Sequence, residues 1–182
     1  MLSKLELEFA DIKYRWRIHS ELFDDDENVN LLNRCGGQVF SMLQQLMVYD
    51  TLAAICRLCD PAKSAGQENN SIYNQYEKQK SKLNDSEVQE IDALLSCLES
   101  KMKNIRFLRN KAMSHNDLGV SEKAIMLPSI KYGEVDEVIE LAGNLLNKIF
   151  RVSGTYSSVT AFGLGVTKLL EVLRAGEGRA NG

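Results

Sequence analysis

Ser86-Glu87-Val88-Gln89-Glu90-Ile91-Asp92-Ala93-Leu94-Leu95-Ser96-Cys97-Leu98-Glu99-Ser100-Lys101-Met102-Lys103-Asn104-Ile105-Arg106-Phe107-Leu108 is the stretch that decides the fold. Val88, Ile91, Leu95, Leu98, Met102, Ile105 and Leu108 recur at steps of three and four, the period of one buried helix face. Ser86-Glu87-Val88-Gln89 has capping-box spacing and predicts the helix start there. The helix is expected to run on into Arg109-Asn110-Lys111-Ala112-Met113-Ser114-His115 and to end near Asn116-Asp117-Leu118-Gly119.

The same period recurs on both sides. Leu2, Leu5, Phe9, Ile12 and Trp16 mark a first amphipathic helix, and Asp24-Asp25-Asp26 breaks it. A long second helix is predicted from Val29 to Cys59, with Leu32, Cys35, Val39, Leu43, Leu46, Ala53, Cys56 and Cys59 on its buried side. Asp60-Pro61 stops it, because proline disfavours helix in the residue before it. Gly36-Gly37 inside it costs about 1 kcal/mol per glycine relative to alanine, which points to a kink or a close crossing. Residues 61–71 read as a polar loop without a hairpin, followed by a short helix at Ile72 to Tyr76. A further helix is expected over Glu134 to Val152, with Val135, Val138, Ile139, Ala142, Leu146, Ile149 and Phe150 inward and Gly154 as its cap. A last short one covers Thr167 to Leu173. The expected architecture is all-α: an antiparallel bundle of four to five helices, one domain over residues 1–175 with a disordered tail over 176–182.

Composition narrows the possible functions. The 182 residues suffice for a core without staples, and 44% hydrophobic with 26% charged residues is globular. No continuous apolar run approaches bilayer length and the N-terminus lacks a signal-peptide core, so the chain is expected to be cytoplasmic, with no membrane partner. Cys56-Arg57-Leu58-Cys59 has C-x-x-C spacing, but Cys35 and Cys97 stand alone and there are only two histidines, so no zinc set is complete. The four cysteines are read as thiols, and the pair at 56 and 59 as core. Neither a metal nor another cofactor is expected. His19, behind Arg15-Trp16-Arg17-Ile18, reads as a structural histidine. Asp50, Arg57 and Asp60 are spaced to form an ion pair within the bundle.

The net charge is −3, yet residues 101–111 hold five basic groups and no acid. An acidic protein can still present such a face to a polyanion. RNA cleavage needs little from a protein, since the ribose 2′-OH is the nucleophile. A proton acceptor, a proton donor and a cation for the phosphorane charge suffice; histidine suits the first two roles and arginine the third. Arg109 and His115 meet that requirement. The same two residues also fit an ordinary solvated helix arginine and a histidine favoured by the helix dipole.

Arg109-Asn110-x4-His115 resembles the R-x(4–6)-H signature of the HEPN superfamily, in which a polar residue follows the arginine. The wider chain is similar to its AbiU branch, linked to abortive infection. The similarity runs through Glu21-Leu22-Phe23, Leu31-Leu32-Asn33-Arg34, Phe40, Arg57-Leu58-Cys59-Asp60-Pro61, Leu108 to His115, and Tyr132-Gly133-Glu134-Val135-Asp136-Glu137. Cys59 departs from it, standing where a threonine-like residue is expected. The resemblance implies a helical homodimer with a metal-independent ribonuclease site where two copies of the motif meet, leaving 2′,3′-cyclic phosphate and 5′-OH ends. It makes Arg109 and His115 the catalytic pair and Asn110 their supporting polar residue. Lys101, Lys103, Arg106 and Lys111 are then candidates for RNA binding. An antitoxin or neighbouring-gene partner is a further implied possibility. On a regular helix Arg109 and His115 lie about 120° apart, so either the helix loosens near Ser114 or the site is shared between two subunits. The competing reading is a non-catalytic helical dimer that binds nucleic acid or a protein through the same basic face.

Overall fold

A computed structural model describes residues 3–113, 127–150 and 163–180. The protein is all-α, with six helices among the described residues. These are α1 (Lys4–Phe23), α2 (Asp26–Leu58), α3 (Ile72–Gln79), α4 (Asp85–Leu108), α5 (Tyr132–Phe150) and α6 (Gly163–Ala180). The chain divides into two compact units, Met1–Phe9 with Leu52–Tyr156 and Ala10–Thr51 with Ser157–Gly182.

The first unit is built on α4 and α5. Ile91, Leu95, Leu98, Met102 and Ile105 of α4 are buried, as the spacing predicts, while Val88 and Leu108 at its ends are half-buried. On α5, Val135, Val138, Ile139, Ala142, Leu146 and Ile149 are buried and Phe150 half-buried. Two ion pairs fix the antiparallel register, Lys148 with Glu90 and Lys101 with Glu137: as one helix is climbed the other descends. The capping box of α4 is present but two residues earlier than expected. Asn84 accepts from the Glu87 N–H at 2.9 Å, and the Glu87 carboxylate accepts from the Asn84 N–H at 2.8 Å. Asparagine caps as well as serine, and this frame places Asp85 in the first turn, where the helix dipole favours an acid. Gly143 of α5 allows close approach by α1: a Cβ there would stand 3.0 Å from the Phe9 ring.

The loop after α2 does contain a hairpin, contrary to expectation. Lys63–Ser64 (β1) pairs antiparallel with Gln67–Glu68 (β2) around Ala65-Gly66, both at positive φ (48° and 80°). A type I′ turn needs that handedness at both central positions. Ala65 hides the signal, since alanine is not a residue that advertises it. Ser71 caps α3, accepting from the Asn74 N–H at 3.3 Å, and this helix is longer than the sequence suggests.

In the second unit α2 breaks at Gly36 (φ 166°, ψ 55°), the expected kink. The break shifts the helical phase, and the buried face rotates with it. Cys35, Val39, Leu43 and Leu46, expected inward, are exposed, while Phe40 and Met47 pack on the core of Leu22, Phe23, Leu31, Leu32, Val166 and Leu170. Val39, Met42, Leu43 and Leu46 thus form an exposed apolar stripe within a stretch, residues 35–49, that carries no charge. An 18-residue window of α2 averages a hydropathy of 1.3, so by length and composition this helix could cross a bilayer. The sequence reading missed this because Gln, Ser and Gly interrupt every continuous apolar run. Helix α6 takes in most of the residues read as a disordered tail; Arg34 anchors it through Glu177. His19 is fully buried, stacked on Trp16 at 4.8 Å and against Phe23 at 5.3 Å. Asp50, expected to pair with Arg57, pairs with Arg15 instead.

Candidate functional site at the end of helix α4

Helix α4 does not continue unchanged through the motif. At Arg109 it widens into a π-turn, Arg109–Met113, of the kind that recurs at functional sites. The Arg109 N–H itself is still shared between the carbonyls of Ile105 and Arg106, the three-centre bond common at helix ends. The loosening therefore begins five residues before the Ser114 position expected for it. Ser114 and His115 lie outside the described residues.

Arg109 reaches back to the end of α2. Its Nη2 stands 3.9 Å from Oδ1 of Asp60, with both side chains about two-thirds covered. Its guanidinium also lies close enough to the Cys56 thiol to act on it. Burial pushes that thiol up, and the charge of Arg109 opposes the rise. The Arg109 Nε is buried without a hydrogen-bond partner among the described residues. A donor left so costs about 1–3 kcal/mol.

Asp60 is a residue the sequence reading assigned to a different role. It was expected beside Arg57, but Arg57 faces Glu8 at 3.5 Å and Asp60 faces Arg109. The loop behind Asp60 is pinned: Asn69 Nδ2 donates to the Pro61 carbonyl at 2.7 Å, and Asn74 Nδ2 to that of Ala62 at 3.3 Å. Asn74 is itself buried. The Asp60-Pro61 stop signal was the available clue, because it marks where α2 ends and where a side chain can turn toward α4.

The basic segment does not form one basic face. Lys101 points to α5 and pairs with Glu137. Arg106 is largely covered, pairs with Glu99, and donates through Nη2 to the Cys59 carbonyl at 2.6 Å. Glu99 also accepts from the Tyr73 hydroxyl at 3.0 Å. Hydrogen bonding from Arg106 holds Glu99 below the usual carboxylate range, and burial with Glu99 pushes Tyr73 up to about 12. Lys103 is exposed and lines an open groove of about 620 Å³ with Tyr73, Ser96, Glu99 and Ser100. Asn110 is exposed on the π-turn and Lys111 half-buried. The structure thus brings Arg109 together with Asp60 and Cys56, turns Lys101 to α5, and leaves Lys103 and Arg106 on the side of Glu99. Successive helix residues lie about 100° apart, so five bases in eleven residues cannot share a side.

Cys56 and Cys59 are buried, free thiols, as the core reading expects, and burial drives Cys59 far up. No group of three or more His, Cys, Asp or Glu suited to a metal occurs among the described residues. No curated protein and no solved structure matches the chain. A family model does: that of AbiU2, in the HEPN group, matches residues 1–161. With nearly the whole chain covered, the motif arginine on a π-turn and an all-helical fold around it, the protein belongs to the HEPN AbiU2 family.

Proposed function

We propose that the protein is a metal-independent ribonuclease effector, a toxin of phage defence that works on RNA in the cytoplasm. In this reading Arg109 and His115 act at the interface of a homodimer. The 2′-OH attacks its own phosphodiester, one His115 takes the proton, and the partner's His115 supplies one to the departing 5′-oxygen. Arg109 offers forked donors to the phosphorane oxygens, and Asn110 supports it. An antitoxin or other neighbouring-gene product is a fitting partner for such an activity.

The observation that carries this reading is the state of Arg109. A guanidinium that stands 3.9 Å from Asp60 and beside the Cys56 thiol, with Nε buried and unpaired among the described residues, retains donors to offer a ligand. Most buried donors in folded proteins close their hydrogen bonds, and an open guanidinium donor at the motif position suits an incoming phosphate. The apolar, uncharged stripe on α2 supports a second copy, since two such surfaces meet without charge repulsion. The alternative, a non-catalytic helical dimer binding nucleic acid or a protein through a basic face, loses support from the pairing of Lys101 and Arg106.

The test is incubation of wild type and His115→Ala with total RNA in EDTA, followed by analysis of the product ends. Cleavage to 2′,3′-cyclic phosphate and 5′-OH ends by wild type, abolished by His115→Ala with the dimer retained, is expected. Cleavage indifferent to that substitution, or absent in EDTA, refutes the mechanism.

A further inference from the structure

We propose that Arg106 is a positioning residue for Arg109, gripping the end of α2 so that Asp60 stands where it can hold Arg109. This rests on the ribonuclease reading for its functional half, while its structural half can be measured without any activity.

Arg106 and Arg109 lie three residues apart at the end of α4, and each touches one of two consecutive residues at the end of α2. Arg106 Nη2 donates to the Cys59 carbonyl at 2.6 Å, and Arg109 Nη2 faces the carboxylate of Asp60 at 3.9 Å. The first link is short and directed and the second is long. A long ion pair has little geometric authority of its own. The placement of Asp60 therefore falls to the backbone around it: Asn69 holds the Pro61 carbonyl on one side, and on the other Arg106 fixes the Cys59 carbonyl. Behind Arg106 stands a chain of partners: Glu99 accepts from its guanidinium and from the Tyr73 hydroxyl, tying α3, α4 and the end of α2 to one carboxylate. A planar, forked guanidinium can serve a carboxylate and a carbonyl together, and an ammonium cannot do so in the same geometry. Arg106 is thus spent on protein groups and is not a phosphate contact.

Cys56 and Cys59 report on this grip. Both are buried beside the two arginines, Cys56 on the last turn of α2 and Cys59 just past its end, whereas Cys35 and Cys97 are exposed and serve as internal controls. The experiment measures the alkylation rate of each cysteine by iodoacetamide and mass spectrometry in wild type, Arg106→Lys, Glu99→Gln and Tyr73→Phe. RNA cleavage kinetics follow on the same samples. Loss of a hydrogen bond to a charged group should raise local opening about 10-fold or more. Cys56 and Cys59 should therefore alkylate about tenfold faster in Arg106→Lys and Glu99→Gln, with Cys35 and Cys97 unchanged. In cleavage, kcat should fall about tenfold while KM stays within about twofold, because substrate binding is untouched. Unchanged alkylation of Cys56 and Cys59 overturns the proposal, as does a rise in KM with kcat preserved, the mark of a lost phosphate contact. Should Arg106→Lys unfold, Tyr73→Phe, which removes one hydroxyl, decides by the same two rates. If wild type cleaves no RNA, the ribonuclease reading fails, and the alkylation rates still judge the grip.

Discussion

Gly143→Ala isolates the closest packing in the first unit. An alanine Cβ would stand 3.0 Å from Cζ and 3.3 Å from Cε1 of Phe9, a ring only 1% exposed and so without room to retreat. Overpacking of this kind costs about 1–3 kcal/mol, whereas alanine in a helix interior gains about 1 kcal/mol over glycine. The balance is a net loss of about 0–2 kcal/mol, or a fall in Tm of up to about 8 °C for a chain of this size. A double-mutant cycle separates the two effects. Phe9→Leu shortens the ring that obstructs, so in that background Gly143→Ala should stabilise through propensity alone. Urea unfolding of the four proteins should give a coupling of about 1–3 kcal/mol between the positions. Additivity within about 0.5 kcal/mol, or a rise in Tm for Gly143→Ala in the wild-type background, would refute the packing argument.

Three further outcomes follow from the described contacts. If RNA binds, the affinity of Lys103→Ala should show a salt slope shallower by about 0.7 in fluorescence anisotropy, the value for one phosphate contact on a single strand, and Lys101→Ala close to none; equal effects would restore the single basic face. Leu46→Glu lies on an exposed stripe, so the folded protomer should survive within about 0.5 kcal/mol while sedimentation shows the dimer shifted to monomer; a dimer unaffected by the charge places the interface elsewhere, and co-flotation of a monomeric wild type with lipid vesicles would assign the stripe to a membrane. Arg106 hydrogen bonding lowers the Glu99 pKa in the folded state, so its contribution to stability is complete above the ordinary carboxylate range and is lost as pH falls through the folded value. The difference in urea midpoint between wild type and Glu99→Gln should therefore be present at neutral pH and shrink below about pH 4; a difference that grows in acid would contradict the pairing.

The sequence alone determined the helical class, the buried stripes of α4 and α5, the kink at Gly36 and the burial of His19, Cys56 and Cys59. Each is a local matter: a repeat of three and four, a glycine inside a helix, or an apolar residue within its stripe. The sequence also singled out Arg109, because one basic segment ending in a histidine has few rivals in a chain with two histidines. What a residue meets across space was left to the tertiary structure. Asp60 faces Arg109 and not Arg57, although Arg57 is the nearer in sequence. Arg106 faces a carbonyl and a carboxylate of its own chain, and Lys101 faces α5. Charge count in a segment is additive along the chain, but the direction of each side chain follows the helical turn and the partner it finds there. The exposed stripe of α2 shows the same division: periodicity marked its apolar residues, and the break at Gly36 decided which side of them the core would take.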